Sequence, residues 1–88
     1  MKSEQKIQKE IMDYLKERGA YTVKTMVTNS NGVPDILCCH NGDFFAIEVK
    51  KEDGTVSKMQ EHHIGKIIEA GGTAIVARSL NDVKEIIQ

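Results

Sequence analysis

The feature that most constrains this chain is an Asn-Gly pair at Asn41 and Gly42, which lies between two apolar runs rich in β-branched and aromatic residues. Both residues tolerate the positive φ angles that a type I′ turn requires, so the pair predicts a two-residue hairpin loop. Residues 32–51 are therefore predicted to form one β-hairpin, with His40 facing Asp43 across the turn. The turn sets the register of both strands, and the register decides which side chains share a face.

This register brings two carboxylates and a lysine to one face of the hairpin. Counting back from the turn puts Asp35 directly opposite Glu48, and Lys50 joins Glu48 because side chains alternate with period 2 along a strand. Directly opposed residues have Cβ atoms about 4.5 to 5.5 Å apart, and like charges in that position are destabilising. A divalent cation held by both carboxylates would offset the repulsion, and Mg²⁺ commonly takes one or two protein carboxylates and keeps several waters.

Lys50 would then lie where it can orient a metal-bound water or help to deprotonate it. The alternative is a solvated strand face that happens to carry charge. The combination of Pro-Asp and, after 12 intervening residues, Glu-X-Lys across an Asn-Gly turn favours the metal site.

The length of 88 residues predicts a single domain over residues 1–88. A chain this short buries only about 60 to 65% of its unfolded surface, so its core is thin and oligomerisation would stabilise it. The formal net charge of −1 lacks the overall basic character typical of nucleic-acid-binding domains. Positive charge could still gather locally around the acids, from a bound metal and from the lysines at positions 50, 51, 58 and 66.

The remaining composition indicates an ordinary globular protein in a reducing compartment. The adjacent Cys38 and Cys39 point to opposite faces of a strand, so they are a poor disulfide pair, and free thiols fit the cytosol. The N-terminal stretch has no apolar signal-peptide region, and no apolar run approaches transmembrane length. Neither export nor membrane insertion is therefore expected.

The first helix is predicted over residues 4–18, with Ser3 as its cap and Gly19 at its end. Its apolar stripe has helical spacing and consists of Ile7, Ile11, Tyr14 and Leu15. Glu4 extends this stripe at the helix start, whereas Glu10 lies more to the side. An acid in the first turn is also favoured by the helix dipole alone.

The elements after the first helix predict a small mixed β-sheet flanked by helices, in the order α-β-β-β-α-β-α. Residues 21–27 read as a strand, and the polar loop 28–32 that follows could contact a phosphate or serve as a plain connection. A second helix from Ser57 to about Ala70 begins with a capping box to Gln60. Gln60 also begins the apolar stripe of that helix, which continues through Ile64, Ile67 and Ile68.

The end of the chain adds a strand and a helix. Residues 73–77 form a predicted fourth strand, and the long second helix before it allows a parallel pair with the third strand. Ser79 is predicted to cap the last helix. The buried side of this helix is predicted to consist of Leu80, Val83, Ile86 and Ile87.

Pro34 and Asp35, followed by Glu48, Val49 and Lys50, resemble the motif of the PD-(D/E)XK nuclease superfamily. The wider setting is similar to the VRR-NUC branch in its compact viral form, on residues 32–35, 45–50 and 57–60. The resemblance covers nearly the whole chain. It implies a restriction-endonuclease-like core and an endonuclease that depends on Mg²⁺ or Mn²⁺ and hydrolyses DNA.

The resemblance also implies roles for individual residues. The residues with implied catalytic roles are Asp35, Glu48, Lys50 and Gln60. The implied metal ligands are Glu4, Asp35, Glu48 and the carbonyl of Val49. A first-helix glutamate supports the metal in related nucleases, and Glu10 is the second choice for that role.

The small members of this family resemble Holliday junction resolvases, so branched DNA is the expected substrate. A two-fold homodimer is the expected working unit, because the thin core favours burying apolar surface at an interface and two identical sites suit a four-way junction. The last helix or the second helix could supply the contact. Family resemblance further implies a phage or prophage protein in the host cytoplasm, with no membrane and no organic cofactor involved. Two alternatives remain open. One is a nuclease that nicks or trims ordinary duplex DNA, and the other is a catalytically silent DNA-binding subunit.

Overall fold

The computed structural model describes residues 1–88 and has the predicted element order. Three helices and four strands follow one another along the chain. They are α1 (Glu4–Glu17), β1 (Tyr21–Lys24), β2 (Ile36–His40), β3 (Asp43–Val49), α2 (Lys58–Glu69), β4 (Thr73–Ala77) and α3 (Leu80–Lys84).

The four strands form one mixed sheet in the order β1-β2-β3-β4. The first three are antiparallel, and β4 lies parallel to β3 because α2 makes the crossover between them. His40 pairs with Asp43 across the turn, and Asn41 and Gly42 have φ angles of 53° and 84°. The predicted fold class and hairpin register are both confirmed.

The hydrophobic core lies between one face of the sheet and the helices α1 and α3. It contains the buried stripe of α1, the inward residues of β2 and β3, and Val83 and Ile87 from the end of the chain. Ser3 caps α1 by accepting a hydrogen bond from the Lys6 backbone N–H at 3.1 Å. The opposite face of the sheet carries Glu48, which forms a hydrogen bond with Gln60 of α2. No residue of α2 is completely buried.

The first strand is shorter than predicted, because β1 ends at Lys24 and not at residue 27. The next residue, Thr25, still pairs with Asp35 through its backbone N–H at 2.9 Å. Continuing the ladder would bring the chain opposite Pro34, which has no N–H to donate. Val27 is 95% exposed as a result, so the apolar residues at this end do not extend the sheet.

The last helix is also shorter than predicted. Ser79 makes no side-chain cap bond, and instead the Asp82 carboxylate accepts a hydrogen bond from the Arg78 backbone N–H at 2.8 Å. Helix α3 ends at Lys84, after which the chain turns so that Ile87 is buried while Ile86 is 37% exposed. The prediction that Ile86 lies on the buried side is therefore wrong.

Candidate active site

The centre of the candidate site is the pair of carboxyl groups at the end of the hairpin. The β2–β3 register, continued by one residue beyond Ile36 and Ile47, puts Asp35 opposite Glu48, as the sequence predicts. One Asp35 carboxylate oxygen accepts a hydrogen bond from the Val49 backbone N–H at 2.8 Å. This bond fixes the Asp35 side chain against the strand that carries Glu48.

Glu48 is the one charged residue that the fold buries, with 2% of its surface exposed. Burial, followed by the facing Asp35 carboxyl, raises the pKa of Glu48 to about 8, and Glu4 adds to the shift. The Lys50 ammonium acts in the opposite direction and does not cancel it. At neutral pH and without a cation, Glu48 therefore holds a proton, which a divalent ion between the two acids would displace.

Gln60 connects α2 to this acid pair. Its side-chain amide donates a hydrogen bond to a Glu48 carboxylate oxygen at 3.2 Å, while its amide oxygen accepts one from the Ser57 backbone N–H at 2.9 Å. The Gln60 backbone N–H in turn donates to the Ser57 hydroxyl, which completes the predicted capping box. The cap therefore holds Gln60 in the orientation that reaches Glu48.

The two helix acids lie in different surroundings. The Glu4 carboxylate accepts a hydrogen bond from the Lys51 backbone N–H at 3.2 Å, two residues after the end of the strand that carries Glu48. Glu10 instead pairs with Lys2 at 2.9 Å, and the hydrogen bond from that ammonium lowers the pKa of Glu10. Glu4 is thus the acid that α1 directs towards the acid pair.

We expect Glu4→Gln to impair DNA cleavage far more than Glu10→Gln. The physical reason is that Glu4 contacts the strand end next to Lys50, whereas Glu10 forms an exposed ion pair, and such pairs contribute little. Cleavage rates of the two variants with the same DNA and metal concentration are the measurement. The reverse order would show that α1 supports the site through its other face.

The donor set suits a hard divalent cation. No group of three or more His, Cys, Asp or Glu side chains is already arranged as a complete metal site. Two facing carboxylates are nevertheless the usual protein share of a Mg²⁺ site, since the ion keeps several waters and accepts phosphate oxygens. Glu4 and the Val49 carbonyl remain predicted additional ligands.

The sequence did not point to two further features around the site. Arg78 donates hydrogen bonds from one guanidinium nitrogen to the carbonyls of Lys51, Glu52 and Gly54, at 2.9, 3.2 and 2.8 Å. This clamp holds the turn that follows β3. The second feature is a contact between the loop after β1 and α2. Both join segments far apart in the chain, so no local spacing signals them.

Several solved structures share this fold, and the similarity extends over most of the chain. Two are described as a VRR_NUC domain and a VRR_NUC domain protein, with TM-scores of 0.82 and 0.80 and identities of 21% and 19%. The alignments cover 98% and 99% of this chain, and 96% and 86% of the other chains. A third is the Holliday junction resolvase Hjc of the archaeal hyperthermophile Archaeoglobus fulgidus. Its TM-score is 0.64 at 19% identity, covering 83% of this chain and 65% of that one.

The fold, together with the family match over residues 2–86, makes the chain a member of the PD-(D/E)XK nuclease superfamily, which confirms the resemblance seen in the sequence. The sequence model of the archaeal Holliday junction resolvase (Hjc) family matches residues 2–86. The chain therefore belongs to that family. No curated protein sequence matches it. None of its helices combines the length and the apolar character needed to cross a membrane.

Proposed function

We propose that this protein is a metal-dependent endonuclease that hydrolyses phosphodiester bonds in DNA and prefers four-way junctions. The observation that carries the proposal is the buried Glu48 opposite Asp35, an arrangement that is unfavourable for two ionised acids unless a cation lies between them. Membership of a junction-resolvase family supports the substrate class.

The chemistry follows from what each side chain can do. Asp35 and Glu48 would hold Mg²⁺ or Mn²⁺, with Glu4 and the Val49 carbonyl as further ligands. When bound, the metal would polarise the scissile phosphate and lower the pKa of a coordinated water. Lys50 would orient that nucleophile or stabilise the charge that develops on the phosphate.

Gln60 contributes to the same site by fixing Glu48. Its amide N–H occupies one lone pair of the carboxylate and leaves the rest of the group free to face Asp35. Because outer partners of metal ligands orient them and tune their basicity, Gln60 is assigned a supporting role in catalysis. The capping box fixes the orientation of the Gln60 side chain, and the bond to Glu48 then fixes the carboxylate.

A synthetic DNA series tests the proposal directly. Duplex, flap and four-way DNA are incubated with the protein and Mg²⁺ or Mn²⁺, and symmetric paired nicks in the four-way substrate are expected. Equal nicking or trimming of plain duplex would favour the less selective nuclease. Tight junction binding without cleavage under either metal would identify a silent DNA-binding subunit.

We further propose that the working unit is a two-fold homodimer that uses the uncovered face of β1, β2 and β3. This face includes an apolar hollow of about 300 Å³. Its rim contains Tyr21 and Phe44, which are 74% and 43% exposed. Val83 and Ile87 of the last segment are already buried in the core, so the C-terminal segment has little apolar surface left to offer. A closed two-fold pair would present two identical sites, which suits paired nicks.

Light scattering at micromolar concentration should give twice the 9.8 kDa chain mass. Phe44→Glu should yield the monomer, because a charge would be buried in the contact. The matched variants Ile68→Glu and Ile86→Glu place the same charge on exposed positions of α2 and of the C-terminal segment, and should leave the mass unchanged. If only Ile68→Glu or only Ile86→Glu gave the monomer, the interface would instead be formed by α2 or by the C-terminal segment, respectively.

A further inference from the structure

The segment between β1 and β2 passes directly beside the acid pair. Its base is closed by the Thr25 hydroxyl, which donates to the carbonyl oxygens of Pro34 and Asp35 at 2.9 and 3.2 Å. Together with Asp35, the segment lines a largely polar cavity of about 420 Å³. The polar groups that face this cavity come from Thr25, Thr28, Ser30, Asn31 and Asp35.

Two contacts hold the far side of this segment on α2. The Ser30 hydroxyl and the Nε2 atom of His63 lie 3.0 Å apart in a partly buried hydrogen bond between residues 33 positions apart. Next to it, Gly32 has a φ of +85°, and a Cβ atom there would lie 2.7 Å from the carbonyl carbon of Met59. Only glycine combines this φ with so close an approach of two backbones.

The anchoring residues and the site residue share one side of α2. Met59 and His63 are one helical turn apart, and Gln60 lies next to Met59 and three residues before His63. One short stretch of helix therefore fixes the Glu48 carboxylate through Gln60 and fixes the β1–β2 segment through His63. The position of the segment and the orientation of the acid pair depend on the same support.

The neighbouring histidine lacks these contacts. His62 is exposed, and its ring meets the His63 ring only edge to face, with the ring centres 5.6 Å apart. His63 is the partly buried member of the pair, and its Nε2 is occupied by Ser30. This engagement suits a residue that holds another segment in place.

We propose that His63 is a positioning residue, which holds the β1–β2 segment through Ser30 so that the polar cavity beside Asp35 keeps its shape for the DNA strand. The group received there would be the sugar-phosphate unit next to the cleaved bond, since the lining is largely polar, has no large apolar surface and includes the side-chain amide of Asn31. The hydroxyls of Thr25, Thr28 and Ser30 already bond within the protein and give the cavity its shape. The DNA part of this inference rests on the proposed nuclease function.

Backbone ¹⁵N relaxation in the metal-free protein tests the anchoring without any DNA. His63→Ala should lower the order parameters of residues 26–33 to below about 0.6, the range of a flexible backbone, while those of β2 and β3 stay unchanged. His63→Gln, whose amide can also bond to the Ser30 hydroxyl, should restore most of the order. His62→Ala is the matched control and should behave as wild type. Unchanged order parameters in His63→Ala would overturn the anchoring role.

Cleavage kinetics test the consequence for DNA. In His63→Ala the KM for junction DNA should rise by about tenfold, with a smaller change in kcat and an unchanged Mn²⁺ affinity in calorimetry. Adding Ser30→Ala to His63→Ala should cause little further loss, because the two side chains form one contact. A fall in kcat at constant KM, with normal backbone order parameters in residues 26–33, would overturn the proposal. If the wild type cleaves no DNA at all, the nuclease proposal fails while the relaxation result still decides the anchoring.

Discussion

Glu48→Gln is expected to abolish DNA cleavage and, in the metal-free protein, to increase the free energy of unfolding near pH 8. Loss of a carboxylate that holds the metal should reduce the cleavage rate by more than about a hundredfold, since even outer partners of metal ligands are worth 10- to 100-fold. Glutamine keeps the shape of the side chain. Its amide oxygen can accept the bond from Gln60, and its amide N–H can donate to Asp35.

The stability effect has a defined pH window. The pKa of Glu48 is raised from an ordinary 4.5 to about 8, so between these values the folded chain binds a proton that the unfolded chain has released. Stability contributed by this proton is complete below about pH 4.5 and falls as pH rises towards 8. Over this window the wild type should lose about 3 to 5 kcal/mol relative to Glu48→Gln.

Denaturant titrations with a chelator present, at pH 5 and pH 8, measure this difference between the two proteins. Added Mn²⁺ should restore the wild type at pH 8 and not the variant, because binding to the folded state alone stabilises it. The control is Glu61→Gln, which changes an exposed acid of α2 next to Gln60. Parallel pH profiles of wild type and Glu48→Gln would contradict the raised pKa.

Asp35→Asn should give the same loss of cleavage. Above about pH 8, where Glu48 loses its proton, it also removes the repulsion between the two facing acids, so the metal-free fold should not become less stable there. Calorimetric titration with Mn²⁺ is the direct measurement for both variants. An unchanged Mn²⁺ affinity in Asp35→Asn would remove the acid pair as the metal site, whatever the effect on cleavage.

The parts of the fold that the sequence predicted correctly depend on short-range rules. The Asn-Gly turn and the alternation along two strands were sufficient to place Asp35 opposite Glu48. The capping box of Ser57 and Gln60 likewise involves residues three positions apart. Predictions from such short-range rules hold in the folded protein because the local backbone preference and the burial pattern favour the same structure.

The parts that were not predicted depend on partners distant in sequence. The end of β1 is set by Pro34, which lies across the sheet and not beside it in the chain. The C-terminal segment departs from helix after Lys84 and is held by α1, where the Tyr14 hydroxyl donates to the Ile87 carbonyl at 2.6 Å. The prediction that Ile86 is buried used helical spacing alone. Helical spacing contains no information about the contact between Tyr14 and Ile87, which lie 73 positions apart.

The same limit applies to the site. The sequence singled out Gln60 for two competing reasons, and the structure shows that its cap and its contact with Glu48 coexist. His63 gave no usable signal, because neither its spacing nor its neighbours indicate a partner at Ser30. A positioning residue is defined by the segment it holds, and that segment is known only once the fold is complete.

Lys50→Ala is expected to remove the chemical step and to leave DNA binding nearly intact. Lys50 follows the last residue of β3, its backbone N–H is fixed by the Ala77 carbonyl at 3.0 Å, and its half-buried side chain acts electrostatically on Glu48. An ammonium that acts on the developing charge of the transition state stabilises it more than the ground state, so kcat should fall by about 10² to 10³. Junction affinity measured in Ca²⁺ should stay nearly constant.

Lys51→Ala is the matched control for this prediction. Its ammonium is exposed beside Asp53 at 3.8 Å, while the bond to Glu4 uses its backbone N–H and survives the substitution. If Lys51 only attracts DNA phosphates, Lys51→Ala should bind junction DNA more weakly and leave kcat unchanged. The salt dependence of its binding should correspond to about one phosphate contact fewer. If Lys50→Ala shows this same pattern, with weaker junction binding at unchanged kcat, Lys50 is a phosphate contact and the nucleophile must be oriented by another group.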